Sequence, residues 1–216
     1  MNQWFISVLG RYKKICLNRR FVVSVLVATA LFMASVASNL YAAVYASKNA
    51  SSAVADLILS NIPVFDVGWF FVYSAFVLVV FVVGLCVIRP QRILFVLYTL
   101  SIFYFIRAIF VSLTHLAPFP TQISFDAGVI VSRVFGGADL FFSGYTGVTF
   151  LLALMFWQDK VLRYIFLCWS VLSGVFSLLG HLHYSIDIFA AFFITYGIYH
   201  IALHFFPKER EFFTSY

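Results

Sequence analysis

The chain is organised around one polar stretch, Gly180-His181-Leu182-His183-Tyr184-Ser185-Ile186-Asp187, which opens the apolar run 188–206. His183 and Asp187 are four residues apart, a spacing that places both side chains on one face of a helix. A carboxylate behind a histidine fixes the tautomer of the imidazole and stabilises its protonated or covalently loaded form. The pair is therefore a candidate histidine nucleophile or base. The same two residues at a membrane boundary can also hydrogen-bond to each other and do no chemistry.

The composition excludes a soluble domain. The chain has 216 residues, of which 63% are hydrophobic and 10% charged, with a mean hydropathy of +1.01, whereas soluble domains carry about 25% charged residues. Its apolar residues form blocks of membrane-spanning length, so the sequence predicts an all-α, polytopic membrane protein. Cys16, Cys86 and Cys168 share no motif spacing and suggest neither a disulfide framework nor a metal site. The net charge of +6 is assigned to cytoplasmic loops and anionic lipid rather than to nucleic acid.

The apolar blocks predict a six-span membrane domain over residues 21–206. It lies between a basic cytoplasmic segment, 1–20, and a short cytoplasmic tail, 207–216. The predicted spans are Phe21–Ala46, Val67–Ile88, Ile93–Leu113, Asp139–Trp157, Val161–Leu179 and Tyr184–Phe206.

The lysines and arginines predict the orientation of the bundle. With the N-terminus inside, the inner segments hold 11 of the 14 basic residues, as the positive-inside rule requires. We therefore expect a multi-pass protein of a bacterial inner membrane, or of a plasma or Golgi membrane, with both termini cytoplasmic. The two long loops and the His-rich corner then face outward.

Polar groups that spans usually avoid are concentrated at this outer end, and ionisable residues within spans are functional candidates. Arg107 lies about six residues inside the outer end of the third span, roughly 9 Å deep at 1.5 Å per residue. Its side chain can snorkel to the interface, pair with a carboxylate such as Asp139, or bind a phosphate. Asp139 can also be a helix N-cap, and His115 a hydrogen-bonded loop-end histidine. The whole set is Asp66, Arg107, Thr114, His115, Asp139, Ser143, Tyr145, Thr146, His181, His183 and Asp187.

Four stretches carry a family resemblance: Ile62–Asp66, Arg107 through Pro118, Gly137–Thr146 and His183–Asp187. They resemble the four signature segments of the sphingomyelin synthase-like branch of the lipid phosphate phosphatase (type 2 phosphatidic acid phosphatase) superfamily. In that family the third segment reads Gly-Asp-x-x-x-Ser-Gly-His-Thr and the fourth His-Tyr-Thr-x-Asp. The last two segments are the specific ones.

The resemblance implies a six-helix bundle with an outward-facing pocket and chemistry without a metal or other cofactor. By matching positions, His183 attacks the phosphate of a phospholipid or lipid phosphate, and Asp187 orients it. Water as acceptor gives a phosphatase, and a lipid alcohol gives a head-group transferase. The residues expected to contribute to substrate binding are Asp139, Ser143, Arg107, His115 and His181.

Tyr145 stands where the family has the histidine that protonates the leaving alcohol and then activates the acceptor. A phenol, with an unperturbed pKa of about 10 against about 6.5 for histidine, can donate a proton but is a poor base near neutral pH. The sequence therefore predicts an enzyme impaired or altered at this position, unless His181 or His115 substitutes. His181 can do so only if its corner is not helical, because helical residues two apart do not share a face.

Three functions remain open. The first is a lipid phosphatase or phospholipid head-group phosphotransferase, and the second is an inactive homologue that binds lipid phosphate head groups. The third, a transporter or scramblase, is disfavoured because the charges cluster at one end and form no path across the bilayer.

Overall fold

The computed structural model describes residues 18–123 and 140–215, and within these ranges the chain forms only helices and their connections. We number the helices in chain order. They are α1 Arg19–Lys48, α2 Gly68–Ile88, α3 Arg92–Leu113, α4 Gly144–Met155, α5 Lys160–Leu179, α6 Ser185–Phe205 and α7 Pro207–Thr214.

The all-α polytopic class is confirmed. Among the described residues, α1, α2, α3, α5 and α6 are long and apolar enough to cross a membrane, and their bounds lie within a few residues of the predicted spans. The fourth predicted span differs, because α4 has only 12 residues. At 1.5 Å per residue it is about 18 Å long, well short of the ~30 Å hydrocarbon core.

Helix α4 is the centre of the bundle. It packs between α5 and α6, and Leu151, Ala153 and Met155 are almost wholly buried. Around it lies a large apolar cluster that includes Phe103 of α3 and Phe166 of α5. The short helix is therefore enclosed by protein rather than by lipid.

Helix α1 lies along α3, and this pair has the most extensive contact in the described structure. Small side chains make the close approach possible: Ala42 and Ala46 of α1 pack against Ala108 and Val111 of α3. Small residues at helix–helix contacts are the usual solution in membranes, where lipid removes the hydrophobic drive for association.

Helix α2 is peripheral. Its buried residues are Phe71, Ser74 and Leu78, and most of its other large side chains are exposed to the surroundings. Beyond the turn that joins them, α2 and α3 make few direct contacts. A cavity lies between them.

Residues 207–216 were predicted to be a tail, but most of this segment is helix α7, which folds back onto the bundle. The Arg210 Nη1 atom donates a hydrogen bond to the Met155 carbonyl at 2.6 Å. The Arg92 guanidinium lies 4.9 Å from the Phe156 ring centroid and 5.7 Å from that of Phe213. Basic and aromatic side chains thus close the bundle at the C-terminal end of α4.

Candidate active site

The corner that carries His183 is not helical. Helix α5 ends at Leu179, and α6 begins at Ser185 with Tyr184 as its extended N-cap residue. Between them His181 has a φ of 52°, a left-handed conformation that histidine tolerates better than most non-glycine residues. The expectation that His183 and Asp187 share a helical face is therefore wrong, because His183 precedes the helix.

The two residues nevertheless meet, because Asp187 lies in the first turn of α6. His183 Nδ1 is 3.5 Å from Asp187 Oδ2. The same Nδ1 lies 2.8 Å from the backbone carbonyl oxygen of Leu140. A carbonyl can only accept, so Nδ1 carries the proton and donates it there. In a neutral imidazole the lone pair is then on Nε2.

Asp187 is fully buried and has two tasks. Its Oδ2 accepts a hydrogen bond from the Tyr184 backbone N–H at 3.0 Å, which caps the start of α6. The positive end of the helix dipole favours a carboxylate at this position. The other oxygen, Oδ1, has no hydrogen-bond partner among the described residues. The carboxylate is thus held in place by its own helix while it faces His183.

Arg107 is only 3% exposed, so its side chain does not snorkel to the interface. Its Nε donates to the Phe142 carbonyl at 2.9 Å and its Nη1 to Asn39 Oδ1 at 3.1 Å. A Cβ atom at Gly144 would lie 3.2 Å from the Arg107 Nε and 3.3 Å from its Cζ. The guanidinium therefore packs directly against the first residue of α4, which explains a glycine at that position.

The N-terminus of α4 supplies further polar groups. Ser143 is its N-cap residue, and the Ser143 Oγ atom is buried with no hydrogen-bond partner among the described residues. The first backbone N–H groups of a helix are oriented to bind anions. Tyr145 follows, with its ring edge-on to Phe71 at a centroid distance of 5.0 Å. Arg107 and a helix N-terminus thus converge at one point.

His183 and these groups open onto one cavity of about 630 Å³, between α1, α2, α3 and α4. Its polar end is formed by Asn39, Tyr104, Arg107, Gly144, Tyr145 and His183, and the remainder of its wall is almost entirely apolar.

The structure does not bring the other two candidate histidines to this cavity. His181 Nδ1 is hydrogen-bonded to Thr121 Oγ1, and its ring lies 5.3 Å from that of Phe119. His115 is hydrogen-bonded through Nε2 to the Ser112 carbonyl at 2.9 Å and lies edge-on to Tyr45. His181 does lie at a non-helical corner, which was the condition for it to replace the histidine missing at position 145. Its side chain, however, contacts the loop that carries Phe119 and Thr121. Neither ring lines the cavity, so neither is placed to assume the role of the missing histidine.

Asp139, the remaining candidate, lies outside the described residues. Three residues at or near the site were missed by the sequence reasoning altogether. Asn39 lies within an apolar span and accepts a hydrogen bond from Arg107. The only sequence feature that could have indicated it is an amide among apolar neighbours, since such side chains form hydrogen bonds between membrane helices. The second is the Leu140 carbonyl, which has no sequence signal because every residue has a carbonyl.

Asp56 is a third residue that was missed. Its Oδ2 accepts from the Ser185 backbone N–H at 2.7 Å and from the Ser185 Oγ at 2.9 Å. Its Oδ1 accepts from the N–H groups of Ile58 and Leu59. Burial opposes ionisation, but these hydrogen bonds outweigh it and lower the pKa of the Asp56 carboxyl. The loop that joins α1 to α2 is thereby fastened to the start of α6.

Asp66, which the resemblance to the first signature segment singled out, is different. It is exposed, and its Oδ1 accepts from the Gly68 N–H at 3.1 Å as a cap of α2. Among the aspartates of this loop, Asp56 is the one in contact with the His183–Asp187 corner.

Comparison with protein families gives one match. The family model described as PAP2 superfamily C-terminal matches residues 136–205, a range that contains both Ser143–Thr146 and His183–Asp187. Neither the curated proteins nor the solved structures gave a match. The matched range holds the histidine, its carboxylate and the start of α4 that meet at the cavity. Over this part of the chain the protein is therefore similar to the C-terminal part of the PAP2, or type 2 phosphatidic acid phosphatase, superfamily.

Proposed function

We propose that this protein is an integral membrane lipid phosphatase or phospholipid head-group phosphotransferase, similar to the sphingomyelin synthase-like branch, that acts through a phosphohistidine at His183. The observation that carries the proposal is the hydrogen bond from His183 Nδ1 to Leu140. It leaves the Nε2 lone pair as the nucleophile, at the polar end of a cavity that Arg107 also lines.

In the first half-reaction the Nε2 lone pair attacks phosphorus, a P–N bond forms, and the P–O bond to the leaving alcohol breaks. The imidazole becomes positively charged as the bond forms. Asp187, 3.5 Å from Nδ1, stabilises that charge. Arg107 and the N–H groups at the start of α4 stabilise the negative phosphoryl oxygens. The leaving oxygen takes a proton, which the Tyr145 phenol can supply.

In the second half-reaction an acceptor oxygen attacks the phosphohistidine, the P–N bond breaks and His183 is restored. Water gives a phosphatase and a lipid alcohol gives a transferase. The acceptor must lose a proton as it attacks. The phenolate that Tyr145 becomes by protonating the leaving alcohol takes a proton from solvent near pH 7, because an unperturbed phenol has a pKa of about 10. The neutral phenol that results is a poor base. The second half-reaction is therefore the slow one in this chain.

The alternative is a lipid phosphate-binding protein that kept the pocket and lost turnover. One observation favours it: Tyr145 packs with Phe71 and Leu182 in an apolar cluster, an environment that disfavours a phenolate. Both proposals place a phosphate at Arg107 and a lipid in the cavity, and they differ only in turnover.

Reconstitution into vesicles that contain head-group-labelled phospholipid or lipid phosphate, followed by thin-layer analysis, separates the two. The proposed activity predicts release of labelled phosphate, or label transfer to an added lipid alcohol, that His183→Ala abolishes. Binding of the labelled lipid without any product identifies the binder. Turnover that survives His183→Ala rules out the proposed nucleophile.

A further inference from the structure

The cavity extends much further than a phosphate requires. Along α3 its lining residues run from Arg107 to Ile93, fourteen residues apart, or about 21 Å at 1.5 Å per residue. Along α2 they run from Phe71 to Val87, sixteen residues apart, or about 24 Å. The space is a long channel parallel to the helices, with the candidate active site at one end. It is partly open to the surroundings beside the exposed residues Val79, Val83 and Val87 of α2.

The chemistry of the wall changes along this channel. The polar lining side chains lie at the His183 end, and beyond Tyr104 the wall is built from leucine, valine, isoleucine, alanine and phenylalanine, with Cys86 near the far end. A polar ligand would lose its hydrogen bonds to water there without replacement. An alkyl chain loses nothing and gains dispersion contacts. A ligand with a phosphate at one end and a long alkyl chain matches both regions.

The far end of the channel lies at the turn that joins α2 to α3. Cys86, Val87 and Ile93 line the cavity there and flank that turn directly. Gln91 and Arg92, within and just after the turn, are themselves buried. A chain that runs from the active site to this end therefore meets the covalent connection between the two helices.

We propose that this channel measures the acyl chain of the lipid phosphate, with Ile93 and Cys86 setting the longest chain accepted and Leu97 lying at an intermediate depth. Leu97 is ten residues from Arg107, or about 15 Å along α3, and Ile93 is one turn deeper. The inference rests on the proposed function, because it requires the phosphate to be held at Arg107 and His183.

The test replaces each wall residue with tryptophan and measures kcat/KM for 1-acyl lysophosphatidic acids from octanoyl to stearoyl. Ile93→Trp should lower the value for the longest chains at least about tenfold, the discrimination typical of one excess methylene, and spare the shorter ones. Leu97→Trp should move the cut-off to shorter chains. Val80→Trp, on the exposed face of α2 and away from the cavity, is the matched control and should keep the wild-type profile. A uniform loss across chain lengths, or a cut-off that does not move, overturns the proposal.

A second measurement needs no turnover. In a Cys16→Ser, Cys168→Ser background, Cys86 is the single thiol, and its alkylation by N-ethylmaleimide reports on occupation of the far end. Stearoyl lysophosphatidic acid should protect Cys86 and octanoyl lysophosphatidic acid should not. If the wild type hydrolyses no lipid but only the stearoyl lipid protects Cys86, the proposed enzymatic function is wrong. The proposal that the channel selects for acyl-chain length is then retained. Equal protection by both chains, or protection by neither, overturns the length measurement.

Discussion

At the scale of single residues, His183 is held by two acceptors, the Leu140 carbonyl and Asp187. His183→Ala should abolish turnover and leave the fold intact, because the side chain is near the cavity and not in the main core.

Asp187→Asn should lower turnover by less than the roughly 10⁴-fold loss that follows in serine proteases when the tautomer is lost, because the Leu140 carbonyl still accepts the Nδ1 proton of His183. Labelled-lipid assays of both variants check this, and a complete loss for Asp187→Asn would show that the Leu140 hydrogen bond does not fix the tautomer.

Tyr145 stands where the lipid phosphatase family that the sequence resembles has a histidine. Tyr145→His replaces a phenol with an imidazole whose pKa suits both halves of the reaction, in an intact Ser-Gly-x-Thr setting. We expect phosphate or head-group transfer to rise about 10²-fold, the low end of acid–base catalysis. The measurement is product formation from labelled lipid in matched vesicles.

The control for that gain is the double variant Tyr145→His with His183→Ala, which should be silent. A wild type that is already fast and is slowed by Tyr145→His would make Tyr145 a working acid and show that the mechanism differs from that of the family the sequence resembles.

At the scale of elements, α4 depends on a glycine that faces α3. A Cβ at Gly147 would lie 2.7 Å from Phe103 Cζ, whereas a Cβ at Gly84 of α2 would have nothing within 4 Å. Overpacking costs about 1–3 kcal/mol, and a helical Gly→Ala exchange gains about 1 kcal/mol. Gly147→Ala should therefore lower the Tm in detergent, and Gly84→Ala should leave it unchanged or slightly raised. Equal effects of the two would mean that α4 does not pack on Phe103 as described.

The loop that joins α1 to α2 should stabilise the start of α6 through the Asp56 carboxylate. In Asp56→Asn an amide NH₂ group replaces the oxygen that accepts hydrogen bonds from Ser185. Two donors then face each other, and the free energy of unfolding should fall by about 1–3 kcal/mol. Thermal unfolding at pH 7 measures this loss, with Asp66→Asn at the exposed cap as the matched control. If both variants lose the same stability, the Asp56–Ser185 contact is not the fastening point.

The same contact sets a pH dependence. The pKa of Asp56 is lower in the folded protein, so its contribution is fully present above the unfolded value of about 3.9. It is lost as the pH falls through the lower folded pKa. The difference in Tm between wild type and Asp56→Asn should therefore be constant near neutral pH and shrink only in strong acid. A difference that shrinks on the alkaline side would contradict the assignment.

The long helices were predictable because their signals are local. Apolar runs bounded by Arg89-Pro90 and by Asp159-Lys160 define their own ends. The shortening of α4 was not predictable, because Leu140–Ser143 is as apolar as a span. Its carbonyls are satisfied outside a helix by His183 and Arg107, and non-helical backbone at membrane depth is tolerated only with such partners. Those donors come from α3 and from the corner between α5 and α6. Because they are distant in sequence from residues 140–143, the local sequence does not predict these hydrogen bonds.

At the scale of the whole molecule, the two ends of the bundle differ in chemistry. Arg92 and Arg210 lie near Phe213 at one end, and Arg107 lies at the other end of α4. The convergence of Arg107, Ser143, Tyr145 and His183 was predictable, because each lies near the end of a predicted span on the same predicted side. Asn39 and Asp56 belong to the same end but carry no comparable motif.

The basic residues predict the orientation of this bundle in the membrane, with 11 of 14 on the inner side. In a cysteine-free background, single cysteines at Lys48 and at Leu57, which is 83% exposed, should react with an impermeant maleimide on intact cells. Cysteines at Gln158 and Lys208, both exposed, should react only after lysis. The reverse pattern would place the site on the cytoplasmic side.

Covalent phosphorylation of His183 is the step on which the proposed function depends. The most direct test mixes purified protein with phosphatidic acid that carries a phosphorus radiolabel, quenches the mixture, and looks for protein-bound label that is stable in alkali and lost in acid. Because Tyr145 is a poor base for the second half-reaction, the wild type should accumulate this label on the peptide that contains His183. Tyr145→His should hold less of it at steady state, and His183→Ala none. Turnover without any such label, or label that remains in His183→Ala, would contradict the account.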